Sequence, residues 1–176
     1  IYGIEDDNEL IRTKIKEIIG ELEDSKKNLY TDNCILNSVL NIKYSAAQVA
    51  DIKIESNIFV PKYMNIDYGD MGVLFGNLLD NAIEANQGVD RKKRWINVSV
   101  KYEEHILIIN IKNSKIRGSR RKKKGYLNHG IGLNSVKQIV EKFNGIVEVQ
   151  DFGEMYEVSA ILYGICDDKD LGKSVL

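Results

Sequence analysis

Asn77, Asp80, Asn81 and Glu84 crowd into the stretch GNLLDNAIEAN, residues 76–86. At about 100° per residue in a helix, these four and Asp70 fall within an arc of roughly 100°. Met71, Leu74, Phe75, Leu78, Ala82 and Ala85 take the opposite side. The solvated side of any amphipathic helix has this general form. Yet the other solvated helical faces of the chain use Lys and Glu, while asparagine is a poor helix former. Two asparagines at a four-residue interval therefore lose propensity without a packing return. Amide and carboxylate oxygens stacked one turn apart suit a hydrated Mg²⁺, which takes oxygen ligands and keeps several waters.

A second group lies in NHGIGLNSVKQIVEKFNG, residues 128–145, where Gly130 and Gly132 directly precede a helical pattern of Leu133, Val136, Ile139, Val140 and Phe143. Glycine lets backbone approach a ligand closely, and a helix N-terminus offers unpaired amides and a positive dipole end to phosphate. A plain loop-to-helix turn uses glycine in the same way. No Gly-Lys-Ser/Thr follows, so this is not a Walker loop, and the full dinucleotide fingerprint is absent.

The elements that must carry these groups can be read from periodicity. Residues 5–28 are polar with a narrow seam of Ile11, Ile15, Ile18 and Leu22, continued at Leu29, and the heptad stripe breaks at Ser25. Such a seam suits a helix packing against a partner helix, or a surface helix resting on its own domain. Thr31 or Asp32 is expected to cap a following helix whose apolar positions are Ile35, Val39, Ile42, Ala46 and Val49. Ile52–Val60 reads as a strand ended by Pro61, and Asp70–Gln87 as a helix. RWINVSVKY and HILIINIKN are rich in β-branched residues and form an expected hairpin about Glu103 and Glu104. Ser114–His129 lacks periodicity and reads as a long loop. Gly132–Phe143 reads as a helix stopped by Asn144-Gly145, and residues 146–165 as a second hairpin turning near Gly153. Strand pairs separated by helices predict an α+β fold. Its form would be a two-layer sandwich of a mixed, mostly antiparallel sheet with helices on one face, plus an N-terminal helix.

Bulk properties narrow the setting. A chain of 176 residues suits one domain with a helical appendage. A hydrophobic content of 43% with 29% charged residues provides enough apolar mass for a core. A net charge of −1 argues against a dedicated binder of nucleic acid or membrane surfaces. Cys34 and Cys166 lack metal-ligand spacing, which suits a reduced, cytoplasmic setting. No apolar run reaches the ~18–20 residues of a membrane span, and no signal peptide opens the chain. The first residue is Ile1, as expected for a fragment whose membrane portion lies upstream. The basic run Arg117–Lys124 admits three readings: a solvated loop, cationic charge brought onto a triphosphate, or a nucleic-acid patch. The last is disfavoured because no aromatics are interleaved.

Taken together, NLLDNAIEA, the strand ending at Asn113-Ser114 and HGIGLNSVKQIVEKFNG resemble the nucleotide-binding domain of the GHKL superfamily. That grouping includes gyrase, a heat-shock chaperone, histidine kinases and MutL. Order and spacing are similar to sensor histidine kinases, and most similar to the AgrC-like, quorum-sensing and peptide-responsive subfamily of Gram-positive bacteria. The resemblance covers roughly Thr31–Ile165. It implies a cytoplasmic catalytic domain at residues 31–168 that binds ATP and Mg²⁺ beneath a lid, Ser114–His129. Residues 1–30 would be the remnant of a helical dimerisation region, and 169–176 a tail. By the same resemblance, Asn81 ligates Mg²⁺ and Asn77 contacts phosphate or its water shell; Glu84 either assists phosphotransfer or continues the solvated face. Asn113, with Ser114, stands where an aspartate commonly binds the adenine amino group. Gly130, Ile131, Gly132 and Leu133 approach the phosphates, and His129 orders the lid. The implied partners are a response regulator and a second copy joined through the N-terminal helices, within a membrane sensor kinase anchored by upstream segments.

Three departures qualify what the domain would do. KNSKI replaces the Asp-x-Gly-x-Gly box, so an amide stands where a stronger carboxylate acceptor is usual. Asn77 occupies the position of a hydrolytic glutamate and cannot take a proton, which favours transfer to a nucleophile better than water. The two histidines, His105 and His129, lie outside the helical region 5–51, so the phosphoacceptor is expected upstream. The alternatives are an anti-sigma-type serine kinase of the same fold and a nucleotide-blind interaction module that dimerises and docks a regulator.

Overall fold

Asparagine starts the first helix. In the computed structural model, which describes residues 28–118 and 131–166, helix α1 spans Cys34–Val49 and is capped by Asn33. Asn33 Oδ1 accepts from the Leu36 amide and its Nδ2 donates to the Lys62 carbonyl, each at 3.0 Å. The expected caps, Thr31 and Asp32, give way because an amide can close the helix end and donate to a second loop at once. Thr31 Oγ1 instead accepts from the Asn33 amide.

The buried face of α1 also differs from expectation. Leu36, Leu40, Tyr44 and Ala47 face the core, whereas Ile42, Ala46 and Val49 are exposed and Ile35 and Val39 half-buried. Two apolar stripes of helical spacing compete on this helix. The one with two leucines and a tyrosine buries more apolar surface, and Tyr44 packs edge-on against Tyr30 with ring centroids 4.8 Å apart.

Helix α2, Tyr68–Asn86, begins at Asp67, whose carboxylate accepts from the amides of Gly69 and Asp70. It buries Met71, Leu74, Phe75, Leu78, Leu79 and Ala82, lies between α1 and helix α3 (Ile131–Lys142), and packs on the sheet. Arg94 fastens the turn after α2: its guanidinium donates to the carbonyls of Val89, Gln87 and Ala50, the last at the end of α1.

The sheet consists of β1 (Lys53–Phe59), β2 (Trp95–Glu103), β3 (Ile106–Ser114), β4 (Ile146–Asp151) and β5 (Met155–Tyr163), in the order β1-β2-β3-β5-β4. β1 runs parallel to β2 and the other pairs are antiparallel. Ile96, Val98 and Val100, then Leu107, Ile109 and Ile111, then Val158, Ala160 and Leu162 alternate inward beneath the helices. This is the expected α+β sandwich with a mixed sheet.

Two details shift. The first hairpin turns at Glu104-His105, one residue later than expected, because Glu103 still pairs with Ile106. Both turn residues have positive φ, +48° and +66°, as a two-residue hairpin loop requires. The His105 carbonyl accepts from the Ile165 amide at 2.9 Å, which braces the turn. Ser114 belongs to β3, paired with Met155, rather than to the loop. At the end of α3, Asn144 takes a left-handed φ of +51°, and a Cβ on Gly145 would lie 2.1 Å from the Ile161 carbonyl oxygen. Only glycine permits that approach of α3 to β5. Among the described residues no helix is long and apolar enough to cross a membrane. The expected N-terminal helix, residues 119–129 of the expected lid and the tail 169–176 lie outside the described residues.

Candidate functional site

The asparagine face of α2 meets the beginning of α3. Asn77 is half-buried, and its Oδ1 lies 3.4 Å from the place a Cβ on Gly132 would occupy. A methyl group at 132 would rest in ordinary van der Waals contact with Asn77. The first turn of α3 therefore stands beside Asn77, one turn before Asn81. The antiparallel crossing of the two helices is held at its far end by Lys142, whose Nζ lies 2.8 Å from the Asp70 carboxylate.

The polar arc divides more finely than its helical wheel indicates. Asp70 is taken by Lys142, and Asp80 by Lys43 of α1, with Nζ 2.7 Å from both carboxylate oxygens. These two carboxylates tie α2 to its neighbours. Asn77 and Asn81 are half-buried and Glu84 is exposed, and Asn77 stands beside α3.

The last turn of α2 meets the end of β3. Asn86 is fully buried, Asn113 is 2% exposed and Ser114 is buried beside them. Ser114 Oγ donates to Asn86 Oδ1 and accepts from the Trp95 amide at 3.1 Å. Nine residues, about 13 Å of helix, separate Asn77 from Asn86, a span on the scale of an extended nucleotide. Sequence reasoning passed over Asn86, though an asparagine four positions after Ala82 on an apolar stripe was a usable signal. It also passed over Lys43, Lys142 and Lys115. Lys115 is nearly buried against Asp151 and lies 5.9 Å from the Tyr156 ring centre. The Lys115 hydrogen bond, then the Gly153 amide, hold the Asp151 carboxyl below the usual carboxylate range.

Leu133 is half-buried in the first turn of α3, whereas His129, Gly130 and the side chain of Ile131 lie outside the described residues. Among the described residues, no group of three His, Cys, Asp or Glu side chains could hold a metal ion. A cation at this face would depend on amide oxygen, water and ligand oxygens, the hard donor set that Mg²⁺ accepts. Cavity size does not mark the site. A larger groove, about 520 Å³, lies elsewhere and is lined by Leu29, Phe59, Pro61 and Tyr102, among others.

The fold has close parallels. The catalytic domain of histidine kinase ThkA superposes with a TM-score of 0.59 at 14% identity, covering 75% of this chain and 93% of that domain. Acinetobacter baumannii histidine kinase AdeS gives a TM-score of 0.57 at 14% identity over 90% of this chain and 81% of its own. In sequence, the chain is 32% identical over 95 residues to the probable C4-dicarboxylate sensor kinase of Bacillus subtilis (strain 168). That match spans 48% of this chain and 18% of the relative. Residues 66–162, more than half of the chain and containing α2, α3 and the ends of β3 described above, match the family model of the GHKL domain, and the chain belongs to that family.

Proposed function

We propose that this domain is the catalytic part of a sensor histidine kinase. It binds ATP with Mg²⁺ and transfers the γ-phosphoryl group to a histidine in the protein's upstream helical region, from which a response-regulator aspartate receives it. The observation that carries this reading is the Asn77–Gly132 approach, which sets a helix N-terminus against a face bearing two asparagines. The phosphates would lie against the backbone of Gly130, Ile131, Gly132 and Leu133 and beside Asn77. Asn113 and Ser114 would hold the base, and His129 would order the covering segment. Mg²⁺, held through Asn81, would neutralise phosphate charge when bound.

The choice of acceptor follows from residue chemistry. An amide at 77 cannot accept a proton, so a water molecule gains no base there. An imidazole is already nucleophilic and needs mainly to be placed, which suits a site of amides and helix dipole. Glu84, on the same face, would assist at the transfer site. The NLLDNAIEA and HGIGL forms favour the quorum-sensing, AgrC-like subfamily. Residues 31–168 would be the catalytic domain. Residues 1–30 would join two copies through their apolar seam, with membrane anchoring further upstream, and 169–176 would form a tail.

The test is labelling of the protein with its upstream region intact, using ATP carrying a γ-phosphoryl label. Acid-labile, alkali-stable phosphate, lost in Asn81→Ala, is the expected result. Acid-stable phosphoserine would replace this reading with a serine kinase. Folded protein that takes no label and binds no nucleotide would leave an interaction module.

A further inference from the structure

Asn86 uses its amide in three directions. Nδ2 donates to the carbonyls of Ala82 at 2.9 Å and Trp95 at 3.3 Å, and Oδ1 accepts from the Ser114 hydroxyl. Carbonyls only accept, so the two ends of this amide are assigned by their partners, and the Ser114 proton must point at Asn86. The Trp95 amide donates to the same hydroxyl. Ser114 is thereby held from both sides, in addition to its pairing with Met155.

Asn113 is bonded to the residue so held. Its Nδ2 donates to the Ser114 carbonyl at 2.9 Å. The acceptor-only carbonyl selects the rotamer in which the amino end is engaged internally, which leaves the oxygen as the recognition atom. Alternation along β3 places Asn113 on the helix-facing side with Leu107, Ile109 and Ile111. A free amide differs from a carboxylate here. It can turn over and present a donor, so an unrestrained asparagine would accept from an adenine amino group or donate to a guanine carbonyl. A restrained one reads only the amino group.

We infer that Asn86 and Ser114 are positioning residues for base selection, locking Asn113 as an acceptor so that the site takes a purine with an exocyclic amino donor and rejects one with a carbonyl there. The inference rests on the nucleotide reading above. It assigns a task to Asn86, which need not touch the nucleotide base itself, and a second, positioning task to Ser114.

The experiment is calorimetric titration with non-hydrolysable ATP and GTP analogues of the wild type, Asn86→Ala, Ser114→Ala and the double variant Asn86→Ala/Asn113→Asp, each checked for folding by circular dichroism. The wild type should prefer the adenine analogue by about tenfold or more, as expected where one base leaves a buried acceptor facing an acceptor. Either single substitution should shrink the preference to within about threefold, because Ser114 is then no longer held from both sides and its carbonyl, which orients the Asn113 amide, is loosened. The double variant should recover it, since a carboxylate has no donor to present. If Asn86→Ala does not fold, Ser114→Ala carries the same comparison. Parallel weakening of both analogues, with the ratio kept, would overturn the inference and leave ATP binding standing. A folded wild type that binds neither analogue would overturn the nucleotide reading, and this inference with it.

Discussion

Two glycines of the helix α3 region make opposite predictions from the same kind of measurement. At Gly132 an added Cβ would sit 3.4 Å from Asn77 Oδ1, the tip of a half-buried side chain that can shift slightly. Gly132→Ala should leave the thermal midpoint unchanged or raise it, since alanine favours helix by up to ~1 kcal/mol. Affinity for an ATP analogue should nonetheless fall several-fold as the phosphate approach narrows. At Gly145 the added atom would meet the Ile161 carbonyl oxygen at 2.1 Å and Val140 Cγ1 at 2.6 Å, and backbone cannot yield so easily. Gly145→Ala should lower stability by about 1–3 kcal/mol in urea unfolding. Gly132 stood out in the sequence by its place before a helix. The demand at Gly145 comes from β5, which no local pattern announces.

At the scale of elements, the ion pairs that join the helices separate structure from chemistry on α2. Lys43 and Asp80 are partly exposed, at 23% and 49% of their side chains, so Lys43→Met should cost no more than ~1 kcal/mol. Nucleotide titration of the same variant should be unchanged, because Asp80 faces α1. A weakened titration would return Asp80 to the binding face. The asparagines were legible because their poor helix propensity needs a reason. Which carboxylates serve neighbouring helices was not, since Lys43 lies 37 positions from Asp80. The α1 face was misread for a related cause: two stripes of similar spacing coexist, and only packing against α2 and β1 decides between them. Tyr44, which that decision buries, gives a pH test. Burial pushes its phenol up to about 12, with Ser56 drawing it slightly back. The folded value lies above the unfolded one, so the contribution is complete below about pH 10 and lost as pH rises towards 12. Urea unfolding should lose roughly 2–3 kcal/mol across that window from this group, and Tyr44→Phe should remove that part of the slope.

For the molecule as a whole, α2 acts as the spine, meeting α3 at Asn77 and the end of β3 at Asn86, with the sheet packed beneath. Alternation in β2, β3 and β5 and the two hairpin turns made the α+β class legible, because period-2 patterns and turn residues are local properties. The parallel pairing of β1 with β2 and the joining of α2 to β3 through Asn86 are not local, and they emerge only with the tertiary fold. The central claim is that this junction binds ATP through amides, a helix N-terminus and a divalent cation. Calorimetric titration of the chain with a non-hydrolysable ATP analogue, with and without Mg²⁺ and beside Asn81→Ala, tests it most directly. Magnesium-dependent binding that weakens about tenfold or more in the variant is the predicted result, as for loss of one charge-assisted contact. No heat at millimolar analogue, from protein shown to be folded, would contradict it.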